Sequence, residues 1–407
     1  MKCLVIVLEN CRLDYFGCYG NDWLSTPAID RLASESVVFD QHFADCPTPA
    51  GARRGWRTGR YGIASQSDRR LAEALWERGV LTAMLADERS GSLGSPFAQG
   101  WEWQHWLRRR RLPELEQETL LGGTVQTAIE WLQQHGSRKN WLLWLEISAL
   151  VPNWDSGDFD ADSFLSEPDD SFQPWFDPPL GGGLDAAALD RLRNTYGGII
   201  GGVDQWLGKL LEFLRGTGLY DDTMLILTSD TGMPLGDHGV VGSDPPWLHE
   251  ELMHLPLLIH LPANEAAGRR VHQFTQPVDL AATLLDARGS PAAPEVHGHS
   301  LLAVAKGEPR RIREYACSWA RRAGWEEWSL RSHHWCLILP SGGATPQRAP
   351  QLYVKPDDRW EVNNLIAQHA EAAEHLELTL RRFTAAVQAD RLAEIPALRE
   401  ELLKTAQ

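Results

Sequence analysis

The sequence predicts an α/β protein: a doubly wound, mostly parallel sheet flanked by helices, followed by a smaller C-terminal subdomain. Three observations predict it. Cys3–Leu8 is an uninterrupted apolar run of the kind buried on both faces in a parallel sheet. Similar runs at Leu81–Ala86, Trp141–Ile147, Met224–Thr228 and Leu255–Leu261 alternate with stretches of helical periodicity. Beyond about residue 310 the pattern changes to short strands, Trp328–Arg331 and Trp335–Leu339, and then a helix from Ala367 to about Gln388. Such alternation places sites at the carboxyl ends of the strands.

Taken in order, Pro27–Ser36 is an amphipathic helix with Ile29, Leu32 and Ala33 on one side. Arg69–Arg78 and Gly123–Gln134 supply two more helices. Residues 155–190 hold ten acidic side chains and no basic one, with Pro178-Pro179 and Gly181–Gly183 nearby. They read as a surface excursion or lid. Leu184–Leu214 is long and helical, with a glycine-rich interruption at 197–202. Met224–Thr228 then delivers Ser229-Asp230 to its carboxyl end, and Val278–Leu285 is helical. The division is a main domain over 1–310 and a subdomain over 311–407.

A chain of 407 residues can bury a large core, and 43% hydrophobic and 23% charged residues are ordinary for a globular protein. The 18 Trp are many, and most are expected in helix–sheet packing. A formal net charge of −16 disfavours nucleic acid and anionic membranes as partners. The 33 Arg far outnumber the 6 Lys. Arg108–Arg111, after Trp101, Trp103 and Trp106, read as a solvated helix end. The cysteines at 3, 11, 18, 46, 317 and 336 form no C-x-x-C, as expected of free thiols in a reducing compartment. MKCLVIVLEN is too short for a signal-peptide core, and no window reaches the 18 apolar residues of a membrane span. The expected location is the cytoplasm.

Several stretches carry a family pattern: VLENCRLDYFGCYGN at 7–21, TPAIDRLASESVVFDQHFA at 26–44, CPTPAGARRGWRTGR at 46–60, LTSDTGMPLGDHG at 227–239 and QLYVKPDDRWEVNNL at 351–365. Together they resemble the type I sulfatases of the alkaline phosphatase superfamily, over roughly 3–290 and 325–390. The resemblance implies a small antiparallel sheet and packed helix in the C-terminal subdomain. It also implies a divalent cation that polarises a sulfate, and a formylglycine nucleophile made from Cys or Ser. At that nucleophile position this chain has Pro49, fixed by Arg53 four residues on and by Thr58-Gly59-Arg60 at the end of the loop. Proline has neither thiol nor hydroxyl, so no formylglycine is expected.

By the same resemblance, the metal-binding pairs fall at Glu9-Asn10 and Asp230-Thr231. These could supply three or four oxygens, enough at most for a weakly bound Ca2+ or Mg2+. The family's lysine and histidine fall at Asp87 and Arg89, a further lysine near Pro245, and a mid-chain histidine near Leu150. Arg53 is expected to anchor the loop, Asp237-His238 to build a turn, and Arg89, His238 and His249 to be the remaining substrate-binding candidates, with Arg89 alternatively in a surface ion pair. His249 and His254 are five apart, which is no H-E-x-x-H metal face. Cys46 lacks the surrounding motif. The leading expectation is a non-catalytic relative that binds a neutral or cationic small molecule between Trp and Arg walls. As a partner, a second copy or a related sulfatase is expected by analogy. The rival is a sulfate, phosphate or phosphonate ester hydrolase using Thr48, or a metal-activated water at Glu9 and Asp230. A third reading is a purely structural role.

Overall fold

A computed structural model of the protein describes residues 1–64, 70–108, 119–163, 172–242, 248–290, 295–322, 325–341 and 349–403. The strands are β1 (Lys2–Leu8), β2 (Val37–Phe39), β3 (Leu81–Asp87), β4 (Trp103–Leu107), β5 (Trp141–Ile147), β6 (Gly181–Gly182), β7 (Met224–Ser229), β8 (Val240–Val241), β9 (Leu257–His260) and β10 (Arg270–Val271). Eight of them form one sheet in the order β10-β2-β9-β7-β1-β5-β3-β4. β1 pairs in parallel with β5 and β7, and β3 with β5 and β4. β9 runs antiparallel to β2 and β7, so the sheet is mixed at that side. The strand expected from Leu255 starts only at Leu257, after Pro256, which has no N–H to give a ladder.

The helices are α1 (Pro27–Ser34), α2 (Pro49–Thr58), α3 (Leu71–Trp76), α4 (Leu120–His135), α5 (Ala186–Gly216), α6 (Glu250–Met253), α7 (Val278–Ala287), α8 (Leu302–Ala305) and α9 (Ala370–Gln388). Alternation along β1 sorts them into two layers. Leu4, Ile6 and Leu8 pack with α1, α4 and α5, whereas Cys3, Val5 and Val7 pack with α2, α3, α7 and α8. Trp56 and Trp144 sit in the second layer with their ring centroids 5.3 Å apart. The indoles of Trp56, Trp131, Trp141 and Trp144 are buried, as the core reading of the tryptophans requires.

The glycine-rich stretch at 197–202 does not interrupt its helix. α5 is continuous over 31 residues, and the glycines form a smooth face for close neighbours. A Cβ on Gly197 would meet the Trp23 ring at 2.8 Å, one on Gly198 the Phe159 ring at 2.2 Å, and one on Gly202 the Asp158 carbonyl oxygen at 1.8 Å. The described part of the acidic excursion is therefore packed down on α5, with Asp158 and Ser163 buried. β6, at its far end, pairs with β8.

The C-terminal subdomain is an antiparallel sheet of β11 (Ala316–Arg322), β12 (Trp325–Arg331), β13 (Trp335–Ser341) and β14 (Gln351–Val354), covered by α9. Leu330, Leu337 and Leu352 meet Leu376, Leu380 and Phe383 in one core. Arg69, Arg109, Arg110, Arg111 and Pro245 lie outside the described residues.

The glycine face of α5 predicts opposite outcomes for two alanine substitutions. Gly202→Ala forces Cβ into a backbone oxygen and should cost about 1–3 kcal/mol or more. Gly208→Ala meets only the Ala28 methyl, at 3.4 Å, and should be neutral or stabilising by up to ~1 kcal/mol. Urea denaturation midpoints of the two variants measure the difference.

Candidate functional site

Four neighbouring strands bring acidic residues to one edge of the sheet. Glu9 and Asn10 follow β1, Asp230 follows β7, Glu146 is the penultimate residue of β5, and Asp87 ends β3. Asn10 adopts a left-handed backbone (φ 59°), a conformation that asparagine tolerates better than most residues. This turn aims its N–H at Asp230 Oδ1, 3.0 Å away.

The segment expected to be a catalytic loop is the helix α2, preceded by its cap. Thr48 is the N-cap, its Oγ1 accepting the Gly51 N–H at 3.2 Å, and Pro49 takes the first helical position. Gly59 ends the helix in a left-handed conformation (φ 66°). The pattern T-P at one end and T-G at the other is thus a start and a stop signal. Thr48 is exposed, and its hydroxyl also lies 3.3 Å from Cys46 Sγ. Burial pushes the Cys46 thiol up to about 11.

One turn after Pro49, Arg53 points into the carboxylates and is fully buried. Its Nη2 lies 3.0 Å from Glu9 Oε2 and 2.9 Å from Glu146 Oε2, and Nη1 lies 2.9 Å from Asp230 Oδ2. Its Nε donates to Ser92 Oγ at 2.6 Å. The Gly91 backbone covers both residues: a Cβ there would be 3.1 Å from Pro49 Cβ and from Arg53 Nη1. Burial opposes the guanidinium charge, but Glu146, Glu9 and Asp230 outweigh it and hold the group protonated. Burial pushes the Glu9 carboxyl up to about 8, with Glu146 and Asp230 adding to the rise and Arg53 only partly offsetting it.

The other oxygens are also engaged. Asp230 Oδ1 accepts the N–H of Thr231 at 2.7 Å as well as that of Asn10, and Thr231 Oγ1 donates to Asn10 Oδ1 at 3.2 Å. Ser90 donates to Glu146 Oε2 at 2.5 Å, and the Trp144 indole to Oε1 at 3.2 Å. In this cluster only Glu9 Oε1 lacks a hydrogen-bond partner among the described residues. The structure therefore gathers Glu9, Asn10, Asp230 and Thr231 as expected, but around a guanidinium. These residues do not fit a divalent cation, which needs several converging oxygens not already committed. Among the described residues, no group of three or more His, Cys, Asp or Glu side chains could hold a metal.

Asp87 is buried and accepts from Ser148 Oγ at 2.6 and 2.7 Å and from the Arg89 N–H at 2.8 Å. The Arg89 guanidinium reaches back to the backbone. It donates to the carbonyl oxygens of Val151 and Pro152, tying down the loop after β5. Leu150 is buried in that loop.

His238 and His249 do not join the Arg53 cluster. They stack on each other, with centroids 3.7 Å apart, inside a second buried network. His249 Nδ1 is 2.6 Å from Glu361 Oε2, and His238 Nδ1 is 2.8 Å from Glu251 Oε1. Lys355 Nζ lies 2.9 Å from Glu361 and 3.4 Å from Glu250, and Arg331 pairs with Glu250. Burial works against ionisation of Glu361, yet Lys355 and His249 hold it down to about 2. The network joins α6 of the main domain to the C-terminal sheet. Asp237 pairs with Arg12 at 2.5 Å, tying its turn to the segment after β1.

Glu146 and the Glu250–Lys355–Glu361 network were not among the expected site residues. Glu146 had a signal: it is the lone charge in the apolar strand WLLWLEI. Lys355 and Glu361 lie within QLYVKPDDRWEVNNL, but nothing in that stretch points to Glu250, which precedes Lys355 by 105 residues.

Comparison with known proteins agrees with this layout. The Sulfatase family model matches residues 2–290, and the model described as N-sulphoglucosamine sulphohydrolase, C-terminal, matches residues 236–385. The Multifunctional alkaline phosphatase superfamily protein PehA of Trinickia caryophylli is 35% identical over 131 residues, 32% of this chain and 25% of the relative. The N-acetylglucosamine-6-O-sulfatase of Bacteroides thetaiotaomicron is 29% identical over 170 residues, 42% of this chain and 29% of the relative. The matched region thus spans less than a third of each of these relatives. The solved phosphonate monoester hydrolase of Agrobacterium radiobacter shares the fold with a TM-score of 0.75 at 21% identity, covering 96% of both chains.

Two outcomes follow for the Arg53 cluster. Arg53→Met strands three buried carboxylates and should destabilise the protein by about 3–5 kcal/mol, less at pH 5 than at pH 8. The folded state binds the Glu9 proton up to about pH 8, above its ordinary 4.5. Its contribution to stability is therefore complete below pH 4.5 and lost as the pH rises through about 8, by up to about 1.4 kcal/mol per pH unit. Relative to Glu9→Gln, the wild type should lose stability over that window in urea titrations. A constant difference would contradict the assignment.

Proposed function

Because this chain belongs to the sulfatase family, whose enzymes are hydrolases ordinarily dependent on a divalent cation, we propose that it is a member without ester hydrolysis, acting through binding. The observation that carries this reading is Pro49 at the first position of α2, with Arg53 one turn later filling the carboxylate cluster. The attacking oxygen has no source at Pro49. Loss of a nucleophile costs about a millionfold in a well-studied hydrolase. Arg53, itself part of the family pattern, is here the cation that Glu9, Glu146 and Asp230 surround. Asp87 then presents a negative side chain where a sulfate would need a positive one.

The hydrolase alternative requires Thr48 or a water activated between Glu9 and Asp230. Thr48 is committed to capping its own helix, and the space between the two carboxylates holds the guanidinium. Both features favour the non-catalytic reading. No helix among the described residues is long and apolar enough to cross a membrane.

The test is turnover of nitrophenyl sulfate, phosphate and phosphonate, together with metal analysis of the purified protein. The expected results are rates equal to those of Asp230→Ala and less than stoichiometric metal. Turnover abolished by Asp230→Ala would overturn the reading. Millimolar Ca2+ should leave the melting temperature of the wild type unchanged. It should raise that of Arg53→Ala, by about 2.7 kcal/mol of stabilisation at a hundredfold excess over Kd.

A further inference from the structure

Away from the Arg53 cluster, and sharing no lining residue with it, a cavity of about 450 Å³ opens between the main domain and the turn after β14. Its volume lies within the range of about 300–1,000 Å³ usual for small-molecule sites. Trp23 and Trp360, 43% and 38% exposed, both line it although they stand far apart in the chain. Tyr15 meets Trp23 edge-on at 5.5 Å. The walls are braced before any ligand arrives: Trp23 rests on Gly197 of α5, and the Arg359 guanidinium lies 4.8 Å from the Trp360 ring centroid.

The polar groups of the cavity narrow the ligand. Arg12 is neutralised within the wall by Asp14 at 2.7 Å and Asp237 at 2.5 Å. Arg193 gives its Nε to the Leu235 carbonyl at 3.1 Å. Asp190 is exposed at the rim, beside Asn194. The two lining guanidinium groups face three carboxylates, and Arg359 behind Trp360 only brings the balance to zero, so no net positive charge is offered to a sulfate or phosphate ester. An organic cation would compete with Arg12, already 5.8 Å from the Trp360 ring and 5.7 Å from that of Tyr15. A ring with apolar C–H faces and hydroxyls at its edge meets both requirements. One face lies on the exposed Trp23 indole, Trp360 with its two guanidinium neighbours closes the far side, and the hydroxyls donate to Asp190 and accept from Asn194.

We propose that this cavity binds an uncharged saccharide of one or two rings. The proposal rests on the binding reading given above and names its ligand class.

The experiment titrates cellobiose, maltose, lactose and N,N′-diacetylchitobiose into the full chain, following tryptophan fluorescence and heat. A 6-sulfated disaccharide and benzyltrimethylammonium are run in parallel. At least one neutral disaccharide should bind saturably, weakened about tenfold or more in Trp23→Ala and in Trp360→Ala. Asp190→Asn, at an exposed position, should weaken binding without moving the melting temperature, which guards against a folding artefact. The proposal is overturned if no neutral disaccharide binds at about 10 mM, if the sulfated sugar or the ammonium ion binds more tightly, or if the variants bind like the wild type. Detection of ester turnover would defeat the non-catalytic reading and leave this site standing; unchanged binding in the variants would do the reverse.

Discussion

A single guanidinium, that of Arg53, sits among three carboxylates where the carboxyl ends of β7, β1 and β5 come together. Glu146 and Asp230, joined by Glu9 once it loses its proton, would repel one another prohibitively in a dry interior without a cation between them. Arg53 supplies that charge and, being planar and multidentate, satisfies all three at once, which an ammonium group could not do with the same geometry. The position of α2, the close approach of Gly91 and the turn at Asn10 all serve to seat this one group.

That arrangement changes the meaning of the family pattern. The sheet, the capped helix and the turn after β7 together bury Arg53 and its partners. The side chains that would act on a substrate are different: proline at the first helical position, aspartate at the end of β3, threonine after Asp230. On the non-catalytic reading proposed above, scaffold and reactive groups are separated, and likeness of fold says little about chemistry.

Much of the fold was readable from residue patterns. The strands Trp141–Ile147 and Met224–Ser229 and the amphipathic α1 follow directly from periodicity, since apolar runs and stripes are what the layers select. Two errors share a cause, the treatment of glycine and proline as punctuation. At 197–202 the glycines are contact surface within a continuous helix, and at Thr48-Pro49 the proline begins a helix where a catalytic loop was expected. Strand ends could be matched to Glu9, Asn10, Asp230 and Thr231, yet the occupant of the space between them could not be read. That depends on where the Arg53 side chain reaches, which no spacing specifies. The contacts of Arg89 with the carbonyls of Val151 and Pro152 were equally hidden, since backbone acceptors carry no sequence signature.

The second buried network has a consequence for how the molecule comes apart. Arg331 and Lys355 belong to the small sheet, while Glu250 and His249 belong to the main body, and Glu361 lies between them. Prising the small sheet away would leave Glu250 behind in an apolar recess without its counterions. Partial detachment is therefore penalised by stranded charge as well as by the apolar contacts it would open, which couples the melting of the small sheet to that of the main body.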